Sequence, residues 1–274
     1  MERKFAVIGV GNMAKAIIAG VTCAGLSVSE FLLYDKFPEA LEALPRNDKF
    51  RYADSISSAV SSADCVLLSV KPQNYPEVLQ EISNLPDHQN KLYISIAAGI
   101  TVESVSKALD GALVIRVLPN IPMTVGKGVS AICKNPNADE DSFEFVKEVF
   151  SSAGNTVIIE EEEMNRIIGV TSSSPAYVFK FVDAICKGAE RQGLSGRALI
   201  DAVCDVLIGS AVLLKNSQEL PSALISRVAS KGGTTQEALN VLDENEFDEI
   251  IAQAMIACTR RADELGESNQ KDKK

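Results

Sequence analysis

The chain has no tryptophan, a single histidine (His88) and an aromatic share of only 5%. Its six cysteines, Cys23, Cys65, Cys133, Cys186, Cys204 and Cys258, are widely spaced, with no CxxC pair. A structural zinc site needs clustered cysteine and histidine, so no metal is expected. Cysteines scattered through mostly apolar surroundings read as reduced core residues of a protein in a reducing compartment. Basic residues are also few: 27 Lys and Arg stand against 37 Asp and Glu, a net charge of -10. With no basic stripe, nucleic acid is excluded as a main partner. No apolar run reaches the roughly 18 residues that would span a membrane. The opening "MERKFAVIGVG" holds a short apolar run that leads into a glycine turn, unlike a secretory signal. A cytoplasmic protein with a small-molecule substrate is therefore expected, with neither nucleic acid nor membrane as partner.

With 274 residues and 46% hydrophobic content, the chain can build two domains. Its first part alternates short apolar runs with helical patterns. "KFAVIGV", "FLLYD", "CVLLSV", "LYISIAA", "ALVIRVLP", "GVSAIC" and "NTVIIE" read as strands, and "NMAKAIIAGVTCAG" and "DEDSFEFVKEVFSSAG" as helices. Continuous apolar strands with helices between them imply a parallel sheet covered on both faces. After Glu161 the strands stop. "PAYVFKFVDAICKGAERQGL" reads as a helix with Pro175 in its first turn and Gly193 at its end. The next helix, from Ser195, is apolar over a wide arc that includes Leu199, Val203, Leu207, Ala211 and Leu214. One small helical layer does not need so wide an arc, and a subunit interface is the favoured explanation. "EFDEIIAQAMIACTRRADELG" is a third long helix. The sequence thus predicts an α/β Rossmann-type dinucleotide-binding domain (residues 1–160) followed by an all-helical C-terminal dimerisation domain (residues 161–274).

Gly9, Gly11 and Ala14 form G-x-G-x-x-A between the first strand and the first helix. Gly9 suits the tight turn, Gly11 lets a pyrophosphate approach the backbone, and Ala14 allows close helix–strand packing. The helix start, with Asn12 and Met13, offers N–H groups and positive dipole to phosphate. Asp35 ends the second strand, where an acidic side chain accepts ribose hydroxyls and favours NAD; the adjacent Lys36 favours the 2′-phosphate of NADP. The two oppose each other, so either cofactor is open. Loops at carboxyl ends of parallel strands line the ligand crevice. Those positions hold Val70, Lys71 and Pro72; Ala97, Ala98 and Gly99; and Asn120. Arg116, inside a strand, reads equally as an ion-pair partner or a catalytic group.

"SKGGTTQEAL" reads as an anion cradle. Gly232 and Gly233 let backbone N–H groups converge, and Thr234 and Thr235 precede a helical run that they can cap while offering hydroxyls. The alternative is a capped helix start that holds no ligand.

In order and spacing, "GVGNMAKAI", "VKPQ", "SIAAGI", "RVLPNIP", "SSSPAYVF", "SKGGTTQEAL" and "TRRADELG" resemble the pyrroline-5-carboxylate reductase family over nearly the whole chain. The resemblance implies reduction of 1-pyrroline-5-carboxylate to L-proline by NAD(P)H, the last step of proline synthesis. It also implies helical domains interlocked as a homodimer, often within a larger ring of dimers. It places the substrate between the nicotinamide and the glycine–threonine loop of the partner. Thr235 would approach the ring nitrogen as the catalytic group, and Ser230, Gly232, Gly233 and Thr234 would hold the substrate carboxylate. Two departures stand out. Lys231 replaces a proline, and "TSSSPAY" lacks glycines the family usually has. Either points toward a related cyclic imine such as piperideine carboxylate, or toward a catalytically weak nucleotide-binding paralogue. A β-hydroxyacid dehydrogenase would instead place a catalytic lysine on the first long helix of the second domain, where Lys180 and Lys187 lie.

Overall fold

The structure, a computed structural model, describes residues 2–45, 47–133, 135 and 137–271. The chain runs β1 (Arg3–Ile8), α1 (Asn12–Ala24), β2 (Val28–Tyr34), α2 (Pro38–Glu42), β3 (Phe50–Tyr52), α3 (Ile56–Ser61), β4 (Cys65–Leu68), α4 (Tyr75–Ser83), β5 (Leu92–Ser95), α5 (Val102–Ala108), β6 (Leu113–Leu118), β7 (Gly128–Cys133), α6 (Glu140–Ser151) and β8 (Gly154–Ile159). Five α-helices follow among the described residues: α7 (Ser174–Glu190), α8 (Arg197–Ser217), α9 (Pro221–Val228), α10 (Thr234–Glu244) and α11 (Phe247–Lys271). Among the described residues no strand follows β8.

The strands form one sheet in the order β3-β2-β1-β4-β5-β6-β7-β8. β1 sends Phe5 and Val7 to one face, against α1 and α6, and Ala6 and Ile8 to the other, against α3 and α4; all four are fully buried. This two-sided burial is why the strand reads as an unbroken apolar run. Successive strands are added toward one edge of the sheet from β1 to β3 and toward the other from β4 onward, so the gap between the parallel strands β1 and β4 is the switch point at which doubly wound sheets open a ligand crevice beyond their strand ends. The expectation of a parallel sheet needs one correction: β7 pairs with β6 antiparallel. Only residues 119–127 join the two strands. A parallel crossover needs about a dozen residues or more. The short β3 carries no apolar pattern of its own and was not anticipated.

His88 is buried, with Nδ1 2.7 Å from the Leu85 carbonyl and Nε2 3.1 Å from Asp110 Oδ2. One other expectation changes. The cysteines are not uniformly core residues: Cys65 and Cys133 are buried, whereas Cys23 is exposed.

The chain divides into two compact units, Met1–Ser173 with Met255–Lys274, and Ser174–Ala254. In the first, the last turns of α11 lie against the loop after β5. A Cβ at Gly99 would come within 2.6 Å of the Ala262 carbonyl, so only glycine permits that approach. Arg116 belongs to the same unit and is structural here: it is 1% exposed, with Nη1 3.0 Å from Glu161 Oε1 and Nη2 donating to Asn165 Oδ1 at 2.7 Å. Glu161 also accepts from the Val102 N–H, so one ion pair ties β6 to the segment after β8 and to α5. Arg116→Ala would strand those acceptors. Because Glu161 is still 30% exposed, the cost is expected at the lower end for broken buried pairs, about 2–4 kcal/mol. Urea unfolding checks it, and an unchanged midpoint would show that the pair contributes nothing.

In the second unit α8 buries only Val203, and leaves Val206, Ile208, Val212 and Leu213 more than half exposed. Large apolar side chains left this exposed on two sides of one helix mark a protein interface.

Candidate active site

The glycine turn lies at the switch point. Gly9 has φ +91°, and a Cβ there would meet the Ser69 carbonyl oxygen at 2.9 Å and Val70 at 3.0 Å, so the turn is pressed against the end of β4. Gly11 is different. A Cβ there would meet no atom within 4 Å, so the protein's own packing does not require glycine at this point. The open space lies at the N terminus of α1, which Gly11 caps without a side-chain hydrogen bond and whose first turn carries no acid. The first N–H groups of a helix have no intrahelical acceptor, and with the helix dipole they form an anion site. Asn12 is exposed, Met13 is half-buried and Ala14 is fully buried against the sheet. A dinucleotide pyrophosphate therefore fits: room and the N–H donors of a helix start coincide, and the first turn of α1 brings no acid.

The other predicted cofactor residues do different things. Asp35 Oδ2 accepts the Val10 N–H at 2.6 Å and Oδ1 the Phe37 N–H at 2.9 Å, which binds the end of β2 to the glycine turn. Lys36 and Lys71 are exposed, and Val70 and Pro72 are half-buried. Tyr75 supports this edge from beneath, its buried hydroxyl 2.9 Å from the Leu68 carbonyl and 3.0 Å from Ser95 Oγ. Burial pushes its phenol well above the ordinary range, so it serves as a neutral strut. Ala97 is buried, Ala98 half-buried, and Gly99 is occupied by the approach of α11. The side-chain amide of Asn120 is used internally: Nδ2 donates to the Thr171 carbonyl at 2.9 Å, and Oδ1 accepts from the Val129 N–H at 2.8 Å. A cavity of about 520 Å³, lined by Tyr75, Ile100, Thr101, Glu103 and Lys107, lies between α4 and α5, away from the glycine turn. It does not include the dinucleotide crevice.

The glycine–threonine segment belongs to the second unit. Gly232 has φ +72°, and the Gly233 N–H donates to the Ser230 carbonyl at 2.9 Å, forming a tight turn. A Cβ on Gly233 would strike Ser230 Oγ at 2.6 Å. Gly233, in extended conformation, is the N-cap of α10 and brings no side-chain cap. This corrects the expectation that Thr234 and Thr235 cap the helix: both are already in its first turn. Their hydroxyls are thus not spent on capping, and the first N–H groups of α10 lack a side-chain acceptor at the cap. Ser230, Lys231, Gly232 and Thr234 are exposed, and Gly233 and Thr235 half-buried. Among the lysines a dehydrogenase would need, Lys187 is paired on the surface of α7 with Asp183 at 2.7 Å. Ser172, in the stretch that lacks glycines, has its hydroxyl buried with no hydrogen-bond partner.

What the arrangement offers chemically is two helix starts without a side-chain cap, one per unit, the first turn of α1 free of acid and that of α10 carrying Glu237. No cluster of three or more metal-ligating side chains occurs among the described residues. No helix among them is long and apolar enough to cross a membrane.

Residues 161–265 match the family model for pyrroline-5-carboxylate reductase dimerisation, and residues 4–99 match the one for NADP oxidoreductase, coenzyme F420-dependent. The chain is 32% identical over 270 residues to the pyrroline-5-carboxylate reductase of Escherichia coli, covering 98% of this chain and 100% of that one. It is similar to the structure of Plasmodium falciparum pyrroline carboxylate reductase with NADP bound (TM-score 0.85, 26% identity, 97% of this chain and 99% of that one). It is also similar to 1-pyrroline-5-carboxylate reductase of Streptococcus pyogenes (TM-score 0.86, 27% identity, 96% and 98%).

Proposed function

The chain belongs to the pyrroline-5-carboxylate reductase family, and from that premise we infer that it is an NAD(P)H-dependent oxidoreductase that reduces 1-pyrroline-5-carboxylate to L-proline. The observation that carries the reading is the pair of helix starts without a side-chain cap: α1, behind the open space at Gly11, and α10, behind the turn at Gly232. One suits a pyrophosphate and the other a small carboxylate.

When bound, the dinucleotide supplies the hydride. The protein's share is position. Gly9, Gly11, Asn12 and Met13 hold the phosphates, Asp35 and Lys36 meet the ribose, and Val70, Lys71, Pro72, Ala97, Ala98, Gly99 and Asn120 border the crevice. Ser230, Gly232, Gly233 and Thr234 hold the substrate carboxylate, and Thr235 meets the ring nitrogen. That nitrogen takes a proton as the imine carbon gains hydride, so the products are proline and the oxidised nucleotide. Protonation makes the imine carbon far more electrophilic, and orientation in a closed site supplies much of the remaining rate. A threonine hydroxyl is a hydrogen-bonding partner and too weak an acid to drive protonation alone. The lack of a histidine–carboxylate pair is compatible with imine reduction and unfavourable to chemistry that must protonate an alkoxide.

The homodimer forms through the helical domain, in line with the match over 161–265 and the exposed apolar face of α8. The domain division near residue 160, just past the end of β8, the use of the partner's loop, a ring of dimers and a cytoplasmic location are part of the same proposal. Val206→Lys combined with Leu213→Lys is expected to give an inactive monomer. Light scattering that still finds a dimer would remove α8 from the interface. The function itself is tested by following nicotinamide absorbance with purified protein, NADH or NADPH, and 1-pyrroline-5-carboxylate. Consumption of nicotinamide with stoichiometric proline is expected; nucleotide binding without turnover would leave a silent binder.

A further inference from the structure

We propose that Asp35 makes this chain select NADH over NADPH. The inference rests on the reading of the first unit as a dinucleotide-binding domain. By sequence, Asp35 and Lys36 pull in opposite directions; the geometry separates them. Asp35 is fixed, one carboxylate oxygen on the Val10 N–H at 2.6 Å and the other on the Phe37 N–H at 2.9 Å. Each oxygen keeps a lone pair that can accept a ribose hydroxyl. The carboxylate is thereby aimed and held beside the glycine turn, and no cation pairs with it among the described residues. Lys36 is exposed and forms no ion pair among the described residues. A hydrated, freely rotating ammonium contributes little attraction, because solvent screens it and ordering it costs entropy.

The short helix that follows adds no cation. α2, which starts after Phe37, has five residues and carries Glu39 in its first turn. A 2′-phosphate brings nearly two negative charges to a place where one anion is already fixed. A 2′-hydroxyl brings a donor to a waiting acceptor. The relative with NADP bound therefore does not predict the preferred nucleotide of this chain.

The test is the dissociation constant of NADH and of NADPH, from the change in nicotinamide fluorescence, with no imine present. NADH is expected to bind at least about tenfold tighter. Equal affinity, or tighter NADPH, would overturn the proposal and leave the reductase reading standing; failure to bind either would overturn both. Asp35→Ser is expected to narrow or reverse the ratio. Because Asp35 also ties the glycine turn to β2, Asp35→Asn serves as the second variant: it keeps an acceptor oxygen and the shape while removing the charge. Thermal unfolding without nucleotide shows which variant keeps its fold. A folded variant with the wild-type ratio would exclude Asp35 as the selector.

Discussion

Gly11→Val is expected to leave the fold intact while raising the dissociation constant for the preferred nucleotide by about a hundredfold or more, about 2.7 kcal/mol. The expectation comes from the empty surroundings of Gly11, where an added side chain meets no protein atom within 4 Å. The branched side chain would stand in the space through which a pyrophosphate reaches the α1 amides, and would cost binding alone. Gly9 provides the contrast. At φ +91°, with the Ser69 carbonyl 2.9 Å from a built Cβ, Gly9→Val should disturb the turn itself. Thermal unfolding and nucleotide titration of the two variants separate these roles. Loss of thermal stability in Gly11→Val, or retained affinity, would mean that the open space is not the phosphate approach.

Thr235→Ala is expected to lower kcat/KM for 1-pyrroline-5-carboxylate by about a hundredfold, the scale at which removal of one oriented hydrogen-bond partner slows a reaction. Nucleotide affinity should be nearly unchanged, because the loop is not part of the glycine turn. Gly233, not a threonine, is the N-cap of α10, so loss of this hydroxyl should cost the helix little. Thr235→Ser, which keeps the hydroxyl, should recover much of the rate. An unchanged catalytic efficiency in Thr235→Ala would remove the residue from the site.

Much of this architecture could be read from residue order. β1 is apolar at every position from Phe5 to Ile8 because both faces of the sheet are covered, and the glycine spacing behind it is a local pattern with a local cause. The features that escaped depend on distance along the chain. The direction of β7 is decided by how short its connection is, whereas the apolar run "GVSAIC" looks the same either way. His88 stands among polar residues, yet Asp110, well ahead in sequence, closes over it. α11 reads as one amphipathic helix, but its end packs under Gly99 and buries Ala262, an approach between two distant glycine-containing segments. At the site, the fingerprint residues were visible as types and spacing. That Asp35 is held by two backbone amides, and that Asn120 spends its amide on Thr171 and Val129, follows only from tertiary structure.

The proposal that remains to be met head-on is that one reaction site is assembled from the glycine turn of one subunit and the glycine–threonine loop of its partner. The most direct measurement mixes Gly11→Val and Thr235→Ala subunits, each nearly inactive alone, and follows imine reduction after they exchange into heterodimers. With shared sites, half the dimers are mixed and each holds one intact site, so activity should return to about a quarter of the unmutated level. Activity that stays at the level of the separate variants, with heterodimers demonstrated, would contradict the shared site.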